Sequence, residues 1–188
     1  MTKALKVLTL LLILLAVSIP VVSQKPNSTD GSIFVGRHFS FVLKEPKGWS
    51  MDSETARSQG LQVVLYPDGS SWKNAAAVMY ARVIHKDDDQ STIDKVISND
   101  VADFMKLSKE STVSDSPPLE TRDKSKSISK VFYDAANKNY ETVTFIDASK
   151  VVVILALTSR QKSEYDKALP AFKALVGSYF VFTPLVSP

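Results

Sequence analysis

VVVILAL, residues 151–157, is apolar at every position and decides the fold of this 188-residue chain. A strand points successive side chains to opposite faces of its sheet, so both faces of this strand must be covered. The preceding strand, Tyr140 to Ile146, ends only a few residues earlier, and so short a connection forces an antiparallel pair. An antiparallel sheet that is buried on both sides needs a covering layer on each face.

Two amphipathic segments can supply those layers. The first follows Ser91-Thr92-Ile93-Asp94, which has the form of a capping box, and carries one apolar helical stripe of Ile93, Val96, Ile97, Val101, Phe104 and Met105. The second runs from about Ser163 to Ser178, and Pro170 inside it predicts a kink or a fresh start. The sequence therefore predicts an α+β fold, a three-layer α-β-α sandwich with a central antiparallel sheet.

Further strands are indicated by alternating or continuous apolar runs between turn signals. Turn residues separate them, as at Pro46-Lys47-Gly48 and Pro67-Asp68-Gly69. The predicted strands are Phe39 to Leu43, Leu61 to Tyr66, Ala75 to His85 and Ser129 to Tyr133.

The first 23 residues are typical of a secretory signal peptide. Lys3 and Lys6 precede an apolar stretch from Val7 to Val17, and Val21-Val22-Ser23 offers a small-residue cleavage site. A retained membrane anchor is the alternative. Val7 to Val22 is only sixteen residues long, however, whereas spanning a bilayer takes about 20 apolar residues. We therefore expect cleavage near Ser23 and an extracytoplasmic location, periplasmic or secreted, with membrane contact only through the signal peptide before cleavage.

The remaining chain is predicted to hold one domain. A polar leader at 24–32 precedes a single α+β domain at 33–183, and residues 184–188 form a tail. The chain has no cysteine, which excludes thiolate metal sites and cysteine nucleophiles. Loss of Lys3 and Lys6 leaves 21 basic residues against 20 acidic ones, so no positive footprint for nucleic acid is present.

Metal and catalytic motifs are weak. Asp87-Asp88-Asp89 could attract a divalent cation, but the glycine and closing glutamate of an EF-hand loop are missing, so an acidic turn before a helix is the simpler interpretation. The only histidines are His38 and His85, too few for a three-histidine zinc site. We predict no catalytic residue, no metal site and no cofactor.

The two tryptophans are the best candidates for partner binding. Trp49 and Trp72 both lie beside turns, where a large aromatic side chain can anchor a partner. Capping one end of the core is the alternative for each.

The order of elements resembles the PsbP-like family, which includes DcrB-type exported proteins. A strand reading Phe39-Ser40-Phe41-Val42-Leu43 leads into Pro46-Lys47-Gly48-Trp49, and Phe172, Leu175, Val176, Ser178 and Phe180 are spaced near the end. The resemblance spans most of the mature chain and implies a three-layer sandwich used for binding and assembly.

These observations predict an exported, non-enzymatic binding or accessory domain whose partner is a protein. Two alternatives stay open at the level of sequence. One is an extracytoplasmic hydrolase that uses His38 or His85, and the other is divalent-metal binding at the acidic run 87–89.

Overall fold

The computed structural model describes residues 31–86, 92–106 and 109–182. The predicted signal peptide, most of the predicted leader, the acidic run Asp87 to Asp89 and the predicted tail lie outside these residues. The elements, in chain order, are β1 (Ser32–Gly36), β2 (Phe39–Leu43), β3 (Trp49–Asp52), α1 (Ser53–Ser58), β4 (Val63–Pro67), β5 (Ala77–His85), α2 (Ile93–Met105), β6 (Thr112–Ser116), β7 (Ser127–Asp134), β8 (Asn139–Ala148), β9 (Val151–Ser159), α3 (Lys162–Ser178) and β10 (Phe180–Val181).

The strands form two antiparallel sheets. The large sheet has the order β3-β4-β5-β9-β8-β7-β6, and the small sheet has the order β1-β2-β10. β9 is the middle strand of the large sheet, paired with β5 from His85↔Val151 to Ala77↔Ser159 and with β8 from Ala148↔Val151 to Tyr140↔Ser159. β9 is therefore hydrogen-bonded along its whole length to a neighbouring strand on each edge.

Both faces of β9 are buried, and each face belongs to a different core. Val153, Leu155 and Leu157 lie in the larger core, which the sheet forms with α3 and with one side of the small sheet. Val152, Ile154 and Ala156 lie in the smaller core, which the sheet forms with α2. The three-layer α-β-α prediction is confirmed.

α3 continues through Pro170 as one helix, which excludes a fresh start there, while the kink given as the other outcome stays a prediction. Proline cannot donate to the carbonyl one turn back and normally disrupts a helix at that point. Here the buried side chains lie on both sides of the proline, and their packing against the larger core stabilises the helix across it. These side chains are Tyr165, Ala168, Phe172, Leu175 and Val176.

α2 begins one residue later than the capping-box pattern suggests. Thr92 is the N-cap, and its hydroxyl accepts a hydrogen bond from the Lys95 N–H at 3.2 Å. Among the described residues, no helix combines the length and the apolar character that a bilayer-spanning segment requires.

Two elements have no apolar signature in the sequence. β6 reads Thr-Val-Ser-Asp-Ser and forms the outer edge of the large sheet, where polar residues discourage pairing with other chains. α1 is a single short helix that begins where the Asp52 carboxylate accepts hydrogen bonds from the Thr55 N–H at 2.8 Å and the Thr55 hydroxyl at 2.6 Å.

The double burial of β9 predicts that neighbouring positions on opposite faces are equally important for stability. We expect Ile154→Ala and Leu155→Ala each to lower the free energy of unfolding by about 2–5 kcal/mol, because each leaves a cavity in a different core. Urea denaturation measures the change. Val35→Ala is the control, since that side chain is 70% exposed, and it should change stability by less than about 0.5 kcal/mol. A neutral result for either buried position would mean that its face is not a core.

Candidate functional site

The large sheet is covered unequally on its two faces. α3 is 17 residues long, whereas α2 has 13 residues, of which Ile93, Val96 and Ile97 are buried. These three contact one end of the face, and within residues 31–86, 92–106 and 109–182 no element covers the other end. The open part begins beside Phe104, near the end of α2.

One row of side chains crosses the sheet at this boundary. Val78 lies opposite Thr158, Thr158 opposite Glu141, and Glu141 opposite Phe132, all on the α2 side. On one side of this row lies a recess of about 260 Å³, lined by Tyr80, Arg82, Asp100, Asp103, Phe104, Phe132, Glu141 and Val143. On the other side lies a recess of about 730 Å³ at the strand ends. We call these two adjoining recesses the trough.

The smaller recess holds a half-buried acid, Glu141. The Tyr80 hydroxyl donates a hydrogen bond to Glu141 Oε1 at 2.7 Å. Burial raises the pKa of the Glu141 carboxyl, and burial together with the adjacent Glu141 raises the pKa of the Tyr80 hydroxyl well above its usual value. Burial thus shifts the Glu141 carboxyl toward its neutral form, while the hydrogen bond from Tyr80 opposes that shift, in a recess that also contains Arg82, Asp100 and Asp103.

Next to this pair, an ion pair joins α2 to the sheet. The guanidinium of Arg82 on β5 contacts the carboxylate of Asp100 on α2, and both side chains are partly exposed. Phe104 on α2 packs edge-to-face on Phe132 of β7, with ring centroids 4.9 Å apart. These two contacts fix the end of the helix and so the rim of the trough.

The larger recess ends at the loop that carries Trp72. The Asn74 side-chain oxygen accepts hydrogen bonds from the Ser71 N–H at 2.7 Å and the Ser71 hydroxyl at 2.8 Å, which closes the loop around Trp72. Trp72 is half-buried there and lines the recess together with Lys73, Asn74, Ala75, Ala76, Val78, Asp134, Asn137, Asn139, Thr158, Ser159, Arg160 and Gln161.

The hairpin loop on the far side of the larger recess is held by one carboxylate. Asp134 is buried and accepts hydrogen bonds from the Ala136 N–H at 3.0 Å and the Asn137 side-chain amide at 2.6 Å. The bonds from Asn137, the largest cause, and from Ala136 lower the pKa of the Asp134 carboxyl. The recess therefore has a fixed polar wall opposite Trp72.

The other tryptophan has a different environment. Trp49 is 8% exposed and packs in the larger core. Its indole therefore offers almost no surface to a partner, and core packing, the alternative considered for it, describes its position.

The two histidines lie outside the trough and close to each other. Their rings are 6.5 Å apart between centroids and nearly perpendicular, although 47 positions separate them in the sequence, at 38 and 85. Both line a cavity of about 460 Å³ at the opposite end of β5. Among residues 31–86, 92–106 and 109–182, no group of three or more histidine, aspartate or glutamate side chains is placed to hold a metal ion.

The half-buried Glu141 of the trough was missed by sequence reasoning, although a signal existed. Glu141, Val143 and Phe145 alternate on one face of β8, and the two apolar members point to the core. A glutamate on the same strand face as buried apolar side chains is unusual, because burying an ionised group is costly. Its partner Tyr80 could not be found this way, since tyrosine is common at half-buried strand positions.

The raised pKa of Glu141 predicts how stability depends on pH. A group whose folded-state pKa is raised contributes stability below its unfolded pKa, and that contribution is lost as the pH rises through the folded pKa. Glu141→Gln cannot ionise and should therefore gain stability relative to the wild type between about pH 4 and about pH 7. Urea midpoints at the two pH values measure the difference.

The matched control for this variant is Glu120→Gln, which makes the same charge change at an exposed side chain. The stability of Glu120→Gln relative to the wild type should change little between these two pH values. If Glu141→Gln gained no more stability than this control as the pH rises, burial would not raise the pKa of the Glu141 carboxyl.

The comparisons with known proteins identify the fold. No protein-family model matches the chain, and no curated protein matches it. The solution structure of cyanobacterial PsbP (CyanoP) from Synechocystis matches with a TM-score of 0.52 at 11% identity, covering 87% of this chain and 99% of that one. A crystal structure from Bacteroides thetaiotaomicron matches with a TM-score of 0.42 at 8% identity, covering 82% of this chain and 49% of that one. On the CyanoP match, the chain has a PsbP-like fold.

Proposed function

We propose that this chain is an exported, non-enzymatic binding domain that holds a protein partner in the trough. The observation that carries the proposal is the open part of the sheet face, where α2 ends and a half-buried Trp72 flanks an uncovered recess. A partly buried aromatic anchor surrounded by polar side chains is typical of interaction sites. Export rests on the N-terminal pattern of the sequence, with an extracytoplasmic domain as its consequence.

The shape and lining of the trough favour a polypeptide as its occupant. Small-molecule sites enclose most of their ligand, whereas these two recesses adjoin and open along the sheet. The floor offers apolar contact at Val78 and Phe132, and the walls offer hydrogen-bonding groups at Asn137 and Gln161. An extended or loop segment with an apolar side chain flanked by polar backbone suits such a surface.

The chemistry of the trough favours binding over catalysis. Glu141 is a candidate proton donor, but neither histidine of the chain lies in the trough. The Thr158 hydroxyl donates to the Asn139 side-chain oxygen at 2.9 Å rather than to a base, so no activated nucleophile is assembled there. The hydrolase alternative stays a prediction about His38 and His85, and the acidic run 87–89 stays a prediction about divalent metal.

The proposal predicts that Trp72 anchors the partner. We expect Trp72→Ala to reduce the protein captured by the mature chain from native envelope or medium by about 30-fold or more, the loss typical of a central aromatic anchor. Quantitative mass spectrometry of the captured proteins measures the loss. Trp49→Ala is the matched aromatic control, and it should act through stability instead, lowering the free energy of unfolding by about 3–5 kcal/mol.

A photo-cross-linking side chain tests the location directly. Placed at position 72, it should join the chain to its partner, whereas the same group at Lys173, an exposed position on α3, should not. Equal cross-linking from both positions, or capture by Trp72→Ala at the wild-type level, would rule out the trough as the binding surface.

A further inference from the structure

The larger recess of the trough is built by three parts of the chain. Its walls come from the loop that leads into β5, from the hairpin between β7 and β8, and from the connection between β9 and α3. These parts cover positions 72–78, 134–139 and 158–161, all of which lie well inside the described ranges. The charges and hydrogen bonds of the walls therefore indicate what kind of group the recess can bind.

The charged side chains of this recess differ in how they are bonded. Lys73 and Arg160 are exposed, and within the part of the chain that the structure describes neither side chain has an ion-pair or hydrogen-bond partner. The carboxylate in the lining is that of Asp134, which is buried and accepts hydrogen bonds from the Ala136 N–H and the Asn137 side-chain amide. The lining therefore has an excess of positive charge, and its carboxylate is already bonded within its own loop.

The carboxylates at the start of α3 do not neutralise Arg160. Asp166 pairs with Lys162 at 2.6 Å, and Glu164 pairs with Lys167 at 2.7 Å. Each of these acids is thus balanced by a lysine of the same helix. The positive charge at the rim of the larger recess remains available to a bound group.

The amide side chains of the recess add hydrogen-bond donors. The Asn74 side-chain oxygen accepts hydrogen bonds from Ser71, and the Asn139 side-chain oxygen accepts one from the Thr158 hydroxyl at 2.9 Å. Because each oxygen is already bonded, the NH₂ group is the part of these two side chains that is left to bond a ligand.

The remaining amides leave the balance of the recess unchanged. Asn137 is the reverse case, since its nitrogen donates to Asp134 at 2.6 Å and its oxygen is the part left over. The Gln161 side chain makes no capping hydrogen bond at the start of α3, so both its oxygen and its nitrogen are available. Together with Lys73 and Arg160, the lining offers more donors than acceptors. A negatively charged acceptor complements it, and hydrogen bonds from cations to carboxylates are among the stronger ones in proteins.

We infer that the polypeptide segment bound in the trough carries an acidic side chain, whose carboxylate contacts Lys73 and Arg160 beside an apolar contact with Trp72. The inference rests on the proposed function, since it names the chemistry of that same partner. A side chain is favoured over a chain end because the two adjoining recesses let a segment continue along the sheet. The attraction is local, because the mature chain has 21 basic residues against 20 acidic ones.

Nuclear magnetic resonance titration of the ¹⁵N-labelled mature chain with blocked synthetic peptides tests the inference. The acidic probe has a leucine followed by adjacent glutamates, and the matched probe has glutamines in their place. We expect the acidic probe to bind about tenfold more tightly, because contacts with two exposed cations are each worth about a few-fold in affinity. The signals of the Trp72 indole N–H and of the Asn74 and Asn139 amides should shift, which locates the probe.

Charge variants test the role of the two cations. Lys73→Gln combined with Arg160→Gln should bind both probes equally. Reversal of the charges, by Lys73→Glu with Arg160→Glu, should instead favour a probe that has lysines in place of the glutamates. The matched control is Arg57→Gln with Lys173→Gln, which removes the same charges from exposed positions on α1 and α3 and should keep the preference of the wild type.

The outcomes separate the acidic side chain from the proposed function. Equal binding of both probes, abolished in each case by Trp72→Ala, would keep the trough as a polypeptide site and overturn the acidic side chain. A preference that survives in the Lys73→Gln, Arg160→Gln variant would overturn it as well. Failure of the acidic probe to bind, or binding only of peptides with a free C-terminal carboxylate, would also overturn it, while protein capture by Trp72→Ala still decides the proposed function.

Discussion

The double burial of β9 is the constraint on which the rest of the structure depends. Seven consecutive apolar side chains in the middle of an antiparallel sheet cannot face water on either side, because each would leave apolar area exposed. Full-length pairing with β5 and β8 satisfies the backbone, and α3 and α2 cover the two faces. The order of layers follows from this one strand.

The two covering layers differ, and the difference places the candidate site. α3 and the small sheet together enclose the larger core, which includes Phe41, Leu43 and Phe172. α2 stands alone on the other face and ends near Phe104, before the strands end. A sheet face that extends beyond its covering helix must carry polar side chains or be covered by a partner. Here the polar side chain of Thr158 faces the trough, and the recess beside Trp72 is the place for a partner.

Much of the fold was predictable because it follows from local apolar patterns. The apolar stretch 151–157 predicted the middle strand. The apolar stripe on α2 predicted the face by which that helix packs, and of the residues in the stripe only Met105 is strongly exposed. β6 was not predictable, because its polar sequence is stabilised by pairing with β7 along Thr112↔Tyr133 to Ser116↔Ser129 and not by burial. The sequence predicted α3 over almost its full length, but not that it would continue without a break at Pro170, since that depends on tertiary packing outweighing the local cost of proline.

The candidate sites were less predictable than the fold, since they depend on which distant residues become neighbours. Trp72 was identified from its place beside a turn, but the same pattern suggested Trp49, and only three-dimensional packing separates a half-buried indole from a core one. The proximity of His38 and His85 depends on how the β1–β2 turn sits against the end of β5. No spacing rule in a single sequence reports that distance.

The apolar middle of the sheet also explains why polar chemistry gathers at its two ends. Ionised groups are costly in a dry interior, and the apolar middle of β9 carries none. On the neighbouring strands, Arg82 pairs with Asp100, and Glu141 accepts a hydrogen bond from Tyr80 while burial raises the pKa of its carboxyl. Toward Ser159 the sheet face opens into the trough, and toward His85 the strands end beside a cavity lined by Arg37, His38, His85, Lys86 and Lys150. One apolar strand thus separates two surfaces of different chemistry.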